Sequence, residues 1–554
     1  MRWISLLGLL FLSACDEEGP AADDGGRADR GQVDDRGMLD LGMLDVGGPD
    51  LGEPSDLGAP DLGSPDAGGP EVPLTWMPCG VLAGQTDARA ECLVVSVPLR
   101  RDTPAAGKIS LYVKRVRPEV PDGRSLWLLA GGPGQAGDAL EPLAAQLSAA
   151  QPGVTIYLPD HRGTGNSTRL GCAGPEGPAS AGGARIDDAE WAGCAAEAAQ
   201  TYGGDEHLAG FSATEAARDL QWLITRTGEE RAFVLGISYG TFLAWRYLQV
   251  APDQAAGVMF DSACMPGLCE LSAQDLWEDR VGRAWLDEVC GADPTCAEKL
   301  GPTPSTQVQA LHDALQAGHC PLLGADPVQA RGTLRAVLAQ MLFFASLRPA
   351  LPAFVYRLLR CDPEDQMAIV TMFNNLFGGG GGIPASYSWP LAMNILVSEM
   401  WEASNPSPEV IAERYENTLM CRGVSAQVGP QAPAWPRYVE PLLEAPLVTA
   451  VPTLILQAEY DPATPLEVAQ PMADVLNGPG QRFIVVPHAS HGVTQQSPLD
   501  ENPQEICGLL LVEAFLDDPT GPLPDCASAT RAPRFAGSPT YNQAIFGTAD
   551  LWEN

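Results

Sequence analysis

Positive charge is scarce in this chain. Its 554 residues hold 33 Lys+Arg against 70 Asp+Glu, a formal net charge of −37. That argues against a nucleic-acid partner, because phosphate recognition needs clustered Lys and Arg. It also disfavours adsorption to an anionic lipid surface. Long apolar runs are missing too. After Trp3–Leu12 nothing approaches 18 uninterrupted apolar residues, so no transmembrane helix is expected. Histidine is rare, at six, and neither C-x-x-C nor H-E-x-x-H occurs, which leaves a metal site without sequence support. Apolar residues, at 45%, are not scarce. The chain has material for a large core, in several domains or in one with insertions.

The ten-residue run Trp3–Leu12 follows Arg2 and is too short to span a bilayer, which needs about 20 residues. It ends in Leu12-Ser13-Ala14-Cys15, which resembles a bacterial lipoprotein signal with Cys15 as the lipidated residue. An ordinary secretory leader with an incidental cysteine is the alternative, and either implies export. The expected location is the cell envelope, lipid-anchored at the periplasmic or cell-surface face. Fourteen cysteines fit an oxidising compartment. Without Cys15 there are 13, so at least one has no partner within the chain. Six form close sequence pairs: Cys79/Cys92, Cys172/Cys194 and Cys507/Cys526. The other seven fall in the middle of the chain.

Residues 16–75 form a separate segment, with 16 acids, 3 bases and Asp-Leu-Gly-like repeats among Pro and Gly. Apolar residues are too sparse there to bury a core, so a disordered tether is expected. The carboxylates are too dilute to surround a calcium ion. A flexible chain of that length would reach about 40 Å. The folded body begins near Trp76. Short β-rich runs appear at Leu93–Val97, Ile109–Val116, Leu126–Ala130, Val154–Leu158, Ala232–Leu235 and Gly257–Phe260. Helical patterns at Leu140–Ala149, Ala213–Thr225 and Thr241–Val250 fall between several of them. This alternation predicts a largely parallel sheet wrapped by helices. Residues 262–435 read as helical, Pro-containing and cysteine-rich, and strands return at Thr453–Gln457 and Arg482–Val486. The expected order is therefore 76–261 body, 262–435 helical cap, 436–554 body.

Gly236-Ile237-Ser238-Tyr239-Gly240 joins a predicted strand to a predicted helix. A sharp turn there needs small neighbours and lifts the serine hydroxyl clear of the sheet. Ser238 is the expected nucleophile. A serine needs a base and an orienting acid, which follow such an elbow in the order acid, then histidine. The late histidines are His488 and His491, and His491, followed by Gly, is the expected base with His488 as rival. Asp461, in the turn sequence after Thr453–Gln457, is the expected acid, with Glu459 as rival. Two oxyanion donors are expected. One is the Tyr239 N–H. The other is the Gly132 N–H in Ala130-Gly131-Gly132-Pro133-Gly134, since Pro133 cannot donate.

Five pieces recur together in the order of a known family: Gly131-Gly132-Pro133-Gly134, the loop 160–167 (Asp160-His161-Arg162-Gly163-Thr164-Gly165-Asn166-Ser167), Gly236–Gly240, Asp461-Pro462-Ala463-Thr464-Pro465 and Ser490-His491-Gly492. Over residues 76 to about 526 the chain resembles the α/β-hydrolase serine peptidases that include proline iminopeptidases and secreted tripeptidyl aminopeptidases. Ala130, where the family often has His, and Ala489-Ser490-His491, where Gly-His-Gly is more usual, depart from the family's pattern. The resemblance implies an α/β-hydrolase fold with its cap inserted after the nucleophile half, and no cofactor. It also implies disulfides at Cys79/Cys92, Cys172/Cys194 and Cys507/Cys526, and a structural ion pair between Asp160 and Arg162, with direct substrate contact by these two as the alternative. Up to three more bridges would staple the cap, each worth about 2–4 kcal/mol. Such a peptidase must hold a free α-ammonium group. In this chain Glu399, at the end of a helix-like stretch after Gly378–Gly382, is the expected anchor, against a solvated helix acid.

The expected activity is thus an exported serine exopeptidase acting on peptide substrates. It would touch the membrane only through an N-terminal lipid. A carboxylic ester hydrolase with the same triad is the alternative, because fold and triad do not fix the substrate. A catalytically inactive surface-binding lipoprotein is the remote one.

Overall fold

The computed structural model describes residues 73–80, 89–177, 180, 186–377 and 386–553. The leader, Cys15, nearly all of the tether and Gly378–Gly382 lie outside the described residues. Nine strands make one sheet: β1 (Met77–Pro78), β2 (Ala90–Pro98), β3 (Lys108–Val116), β4 (Arg124–Leu129), β5 (Thr155–Pro159), β6 (Arg231–Ile237), β7 (Gly257–Asp261), β8 (Thr453–Ala458) and β9 (Gln481–Val486). Their order is β1-β2-β3-β5-β4-β6-β7-β8-β9. β1, β2 and β3 pair antiparallel, as do β3 and β5, and the strands from β5 to β9 are parallel. The eight runs expected from sequence all form strands, and the two-residue β1 is an addition.

Central strands are covered on both faces, as the helices on either side require. Alternate residues of β4, β6, β7 and β8 enter two different cores. Trp127, Val234, Phe260 and Ile455 face one. Leu128, Leu235, Met259 and Leu454 face the other. Local chemistry sets the helix ends. Ser212 caps Ala213–Thr227 by accepting from the Glu215 N–H, and Gly228 closes it with φ +69°.

Between β7 and β8 the described chain is helical. This insertion has its own core, built on Trp285, Leu334, Phe354 and Ile369. Phe535, Phe546 and Trp552, from the end of the chain, complete that core. The last body segment therefore crosses back to the cap. Buried Arg357 fixes the crossing by donating to the Leu551, Asp550 and Glu553 carbonyls.

Six disulfides form among the described residues. The three expected pairs are all present in the body. Cys79–Cys92 ties the chain just after β1 to β2. Cys172–Cys194 joins the end of the 160–170 loop region to the helix Trp191–Tyr202. Cys507–Cys526 links the start of the helix Cys507–Asp517 to the segment that follows it. Cys264–Cys269, Cys290–Cys296 and Cys320–Cys361 are the other three. Cys421, buried, is the free cysteine among the described residues, matching the odd count. Among those residues no helix is long and apolar enough to cross a membrane.

Candidate active site

β6 ends at Ile237 and a helix begins at Tyr239, so Ser238 alone makes the turn, at φ +57° and ψ −125°. A non-glycine residue at positive φ is strained, and such strain collects at working sites. The flanking glycines make it possible. A Cβ on Gly236 would lie 2.1 Å from the Gly240 carbonyl oxygen, and one on Gly240 would lie 2.2 Å from that of Leu129. The Ser238 N–H donates to the Asp261 carbonyl (2.9 Å), tying the elbow to β7.

The Gly-rich loop after β4 runs against this turn. A Cβ on Gly131 would come within 3.2 Å of the Ser238 Cβ. Among the described residues no other group takes the Gly132 or Tyr239 N–H. The latter is one of the donors left free at a helix N-terminus. Both residues line, with Ser238 and His491, a cavity of about 2480 Å³. Tyr387 holds the loop from the cap side, its hydroxyl donating to the Pro133 carbonyl (2.9 Å).

Asp461 follows β8 and is fully buried. It accepts from the Ala463 and Thr464 N–H groups (both 2.9 Å) and from the Thr464 hydroxyl (3.1 Å). Its two oxygens lie 2.9 and 3.0 Å from His491 Nδ1. Burial alone would raise the Asp461 carboxyl, but the adjoining His491 and the backbone donors outweigh it and hold it below the usual carboxylate range. The rival Glu459 is exposed. The rival His488 also lines the cavity, and among the described residues it has no hydrogen bond to a carboxylate. The arrangement is that of a serine at a strained turn, a histidine whose Nδ1 is fixed by a buried carboxylate, and two free N–H donors. Such a set can perform acyl transfer.

Two expectations need correction. Asp160 and Arg162 do not pair. Arg162 forms a bidentate pair with Asp219 (both contacts 2.7 Å), while Asp160 accepts from the Gly137 and Asn166 N–H groups. A planar fork is better matched by a carboxylate facing it from the helix Ala213–Thr227 than by a neighbour two residues away. Desolvation by burial outweighs its two backbone donors and the Lys114 charge, and pushes the Asp160 carboxyl up to about 6.

Glu399 is not among the residues lining the cavity. Its Oε1 accepts from the Ala213 N–H (2.9 Å) and the Tyr438 hydroxyl (2.5 Å), and its Oε2 lies 3.7 Å from the Arg246 guanidinium. A helix N-terminus and a fixed cation occupy the places a substrate ammonium would need. The acids that do line the cavity are Asp187, Asp188, Asp326 and Glu416.

The cysteines singled out in sequence stand apart from this chemistry. Cys79, Cys92, Cys172, Cys194, Cys507 and Cys526 are all bridged, and none of them lines the cavity. Cys92, Cys172, Cys194, Cys507 and Cys526 are buried, so their part is in holding the body together. The bridge that does border the cavity is Cys264–Cys269, just after β7, which no sequence pairing had identified.

Asp261, at the end of β7, escaped the sequence reading. It accepts from the Val493 and Thr494 N–H groups (2.7 and 2.9 Å) and from the Thr494 hydroxyl (2.6 Å), so it braces the chain just past His491. Its signal was an acid closing the strand next to the nucleophile strand. Among the described residues no cluster of His, Cys, Asp and Glu could hold a metal ion.

The family described as alpha/beta hydrolase fold matches residues 125–285, and one described as TAP-like protein matches residues 408–527. No curated protein matches the chain. Similar solved structures include a proline iminopeptidase of Mycobacterium smegmatis, at 17% identity over 77% of this chain and 98% of that one, with a TM-score of 0.32. An esterase from Exiguobacterium antarcticum is 15% identical over 70% and 90%, with a TM-score of 0.29. A Paleococcus ferrophilus monoacylglycerol lipase is 16% identical over 74% and 98%, with a TM-score of 0.30.

Proposed function

The chain belongs to the α/β-hydrolases with a TAP-like C-terminal region, and from that premise we propose that it is an exported serine exopeptidase that trims peptides from a free N-terminus. The observation that carries the hydrolytic part is that His491, paired with buried Asp461, lines one cavity with the strained Ser238. Ser238 Oγ attacks the scissile carbonyl while His491 Nε2 takes its proton. The Gly132 and Tyr239 N–H groups donate to the oxyanion. His491 then passes the proton to the leaving amine, and water releases the acyl group by the same steps in reverse.

A free-amine requirement needs a carboxylate facing the substrate. Of the four acids lining the cavity, Asp187 and Asp326 accept from helix N-terminal amides and Glu416 pairs with Arg335. Asp188, exposed and with no partner for its carboxylate among the described residues, takes the anchor role that the sequence assigned to Glu399. One observation favours a second reading, a carboxylic ester hydrolase. With Glu399 withdrawn, the cavity offers apolar Trp389, Met393, Leu396 and Met400 and no buried acid.

Unmodified peptides and their N-acetylated copies, incubated with the full-length protein and with Ser238→Ala, separate the two by mass spectrometry. Trimming of only the unmodified set, lost in the variant, is the expected result. An enzyme that cleaves p-nitrophenyl esters but neither peptide set is the esterase. Lipidation rests on Cys15, and incorporation of a clickable fatty acid should disappear in Cys15→Ala, whereas export rests on the leader as a whole.

A further inference from the structure

The helical cap does more than roof the cavity. Where the helix Pro327–Phe343 ends, the chain turns through residues 344–350 and sends one side chain, Arg348, down between the two loops that carry Asp461 and His491. Arg348 is 1% exposed. Its Nη2 donates to the Tyr460 carbonyl (2.6 Å), one residue before Asp461, and to the Ser490 hydroxyl oxygen (2.9 Å), one residue before His491. Its Nη1 donates to the Ala489 carbonyl (2.7 Å). Its Nε returns to the Leu342 carbonyl (2.8 Å) at the end of its own cap helix.

We infer that Arg348 is a positioning residue for the triad: one rigid guanidinium fixes the acid loop to the base loop, so that the seating of the cap sets the catalytic geometry. The inference rests on the reading of Ser238, His491 and Asp461 given above.

Three further observations support it. First, Arg348 has no salt bridge to a carboxylate among the described residues, although burying an unpaired cation is costly. Arg357, equally buried in the cap, pairs with Asp365 (3.1 Å). What Arg348 has instead is a planar fork whose N–H groups diverge toward three chain segments, a geometry lysine cannot copy. Second, the same cap segment is joined to the base loop by other bonds. Ser490 Oγ donates to the Phe343 carbonyl (2.8 Å), Gln496 accepts from the Ala345 N–H (2.9 Å), and the Gln496 amide donates to the His491 carbonyl (2.5 Å). Third, the Phe343 ring stands 5.0 Å from the His491 ring, on the cavity side. These contacts place the base between its acid and a cap residue, and Arg348 holds all three in register.

The test uses the full-length protein and the rate at which a fluorophosphonate probe labels Ser238, with rate constant and half-saturation measured separately. Thermal melting and circular dichroism follow each variant. Arg348→Met is expected to slow the maximal labelling rate by about tenfold or more, since small misplacements of reacting groups are costly, while half-saturation changes less than about twofold. Arg348→Lys is expected to fall between the two, because an ammonium can bridge fewer of these acceptors. Ser490→Ala should slow labelling more mildly in the same parameter.

A folded Arg348→Met protein that melts earlier but labels at the wild-type rate would show a mere brace and overturn the inference. If Arg348→Met does not fold, wild-type maximal rates in both Arg348→Lys and Ser490→Ala would overturn it equally. Wild-type protein that does not label at all would instead overturn the triad reading, and the inference with it.

Discussion

Asp461 and Glu399 are both buried carboxylates, each close in the chain to residues that line the cavity, and each accepts a backbone N–H. Their surroundings push them in opposite directions. Asp461 has three donors besides His491 and is held below the usual carboxylate range. Burial pushes Glu399 up to about 7, and its Oε2 has no hydrogen bond. The first faces the His491 imidazole, which lines the cavity. The second faces the permanent charge of Arg246 and the N-terminus of the helix Ala213–Thr227. A buried acid beside a catalytic cavity is therefore not enough to mark a functional group. What it faces, and whether that partner changes charge, separates a working carboxylate from a structural one.

The largest effect should come from Asp461→Asn. The amide would present an N–H to His491 Nδ1 and favour the wrong tautomer. A fall in kcat on the order of 10⁴ is expected with the fold retained, as in triads of this design. Glu399→Gln should leave kcat within about threefold. Rates measured side by side on one substrate would break the comparison if the two variants lost comparable activity.

The second difference lies in stability against pH. For Asp461 the folded state prefers the ionised form. Its contribution is present above the ordinary carboxylate range and is lost as pH falls through its folded value. For Glu399 the sign reverses. Its contribution is complete below about 4.5 and is lost as pH rises toward about 7. Asp160 and Asp275, pushed up to about 6 and about 7 by burial, contribute with the same sign, so wild-type melting alone cannot isolate Glu399. The difference between wild type and Glu399→Gln can. Apart from a constant offset from leaving Arg246 without its carboxylate, the unfolding free energy should decline less between pH 4.5 and 7.5 in the variant, by about 1–3 kcal/mol overall, with a correspondingly shallower fall in Tm. Parallel curves would remove Glu399 from the titrating set.

How much of this was legible in the sequence follows the range of the interactions. The Ser238 elbow is written within five residues, and the acid turn after β8 within five more. Short apolar β-rich runs located eight of the nine strands, because central strands buried on both faces read as near-continuous apolar stretches. Cys264–Cys269, five residues apart, was a local miss, but most of the others are long-range. Arg162 finds Asp219 57 residues away, and Glu399 caps a helix that starts 186 residues earlier. Arg348 reaches Tyr460 across 112 residues, and Arg357 holds carbonyls nearly 200 residues on. No local pattern encodes which carbonyl or carboxylate packing will bring to a guanidinium. The cap, built from many such meetings, was accordingly the least readable part, although its helical character and its cysteines were plain.

The smallest effect sharpens the comparison from the side of Glu399. The Tyr438 hydroxyl donates to Glu399 Oε1 at 2.5 Å and favours the ionised form, while Glu440 opposes it and Arg246 supports it. Tyr438→Phe keeps the ring and removes that donor. The carboxylate would then rely on the Ala213 N–H and on Arg246, so its protonated form should persist to higher pH. Tm measured from pH 5 to 8.5 should fall over a range displaced upward from that of wild type, by less than 1 pH unit for one lost hydrogen bond worth about 1 kcal/mol. Displacement downward would mean that Tyr438 had been favouring the neutral acid, with the carboxyl proton rather than the phenol proton in the bond between them. Glu399 would then be a neutral acid throughout the working range, and its contrast with Asp461 would be one of protonation state as well as of partner.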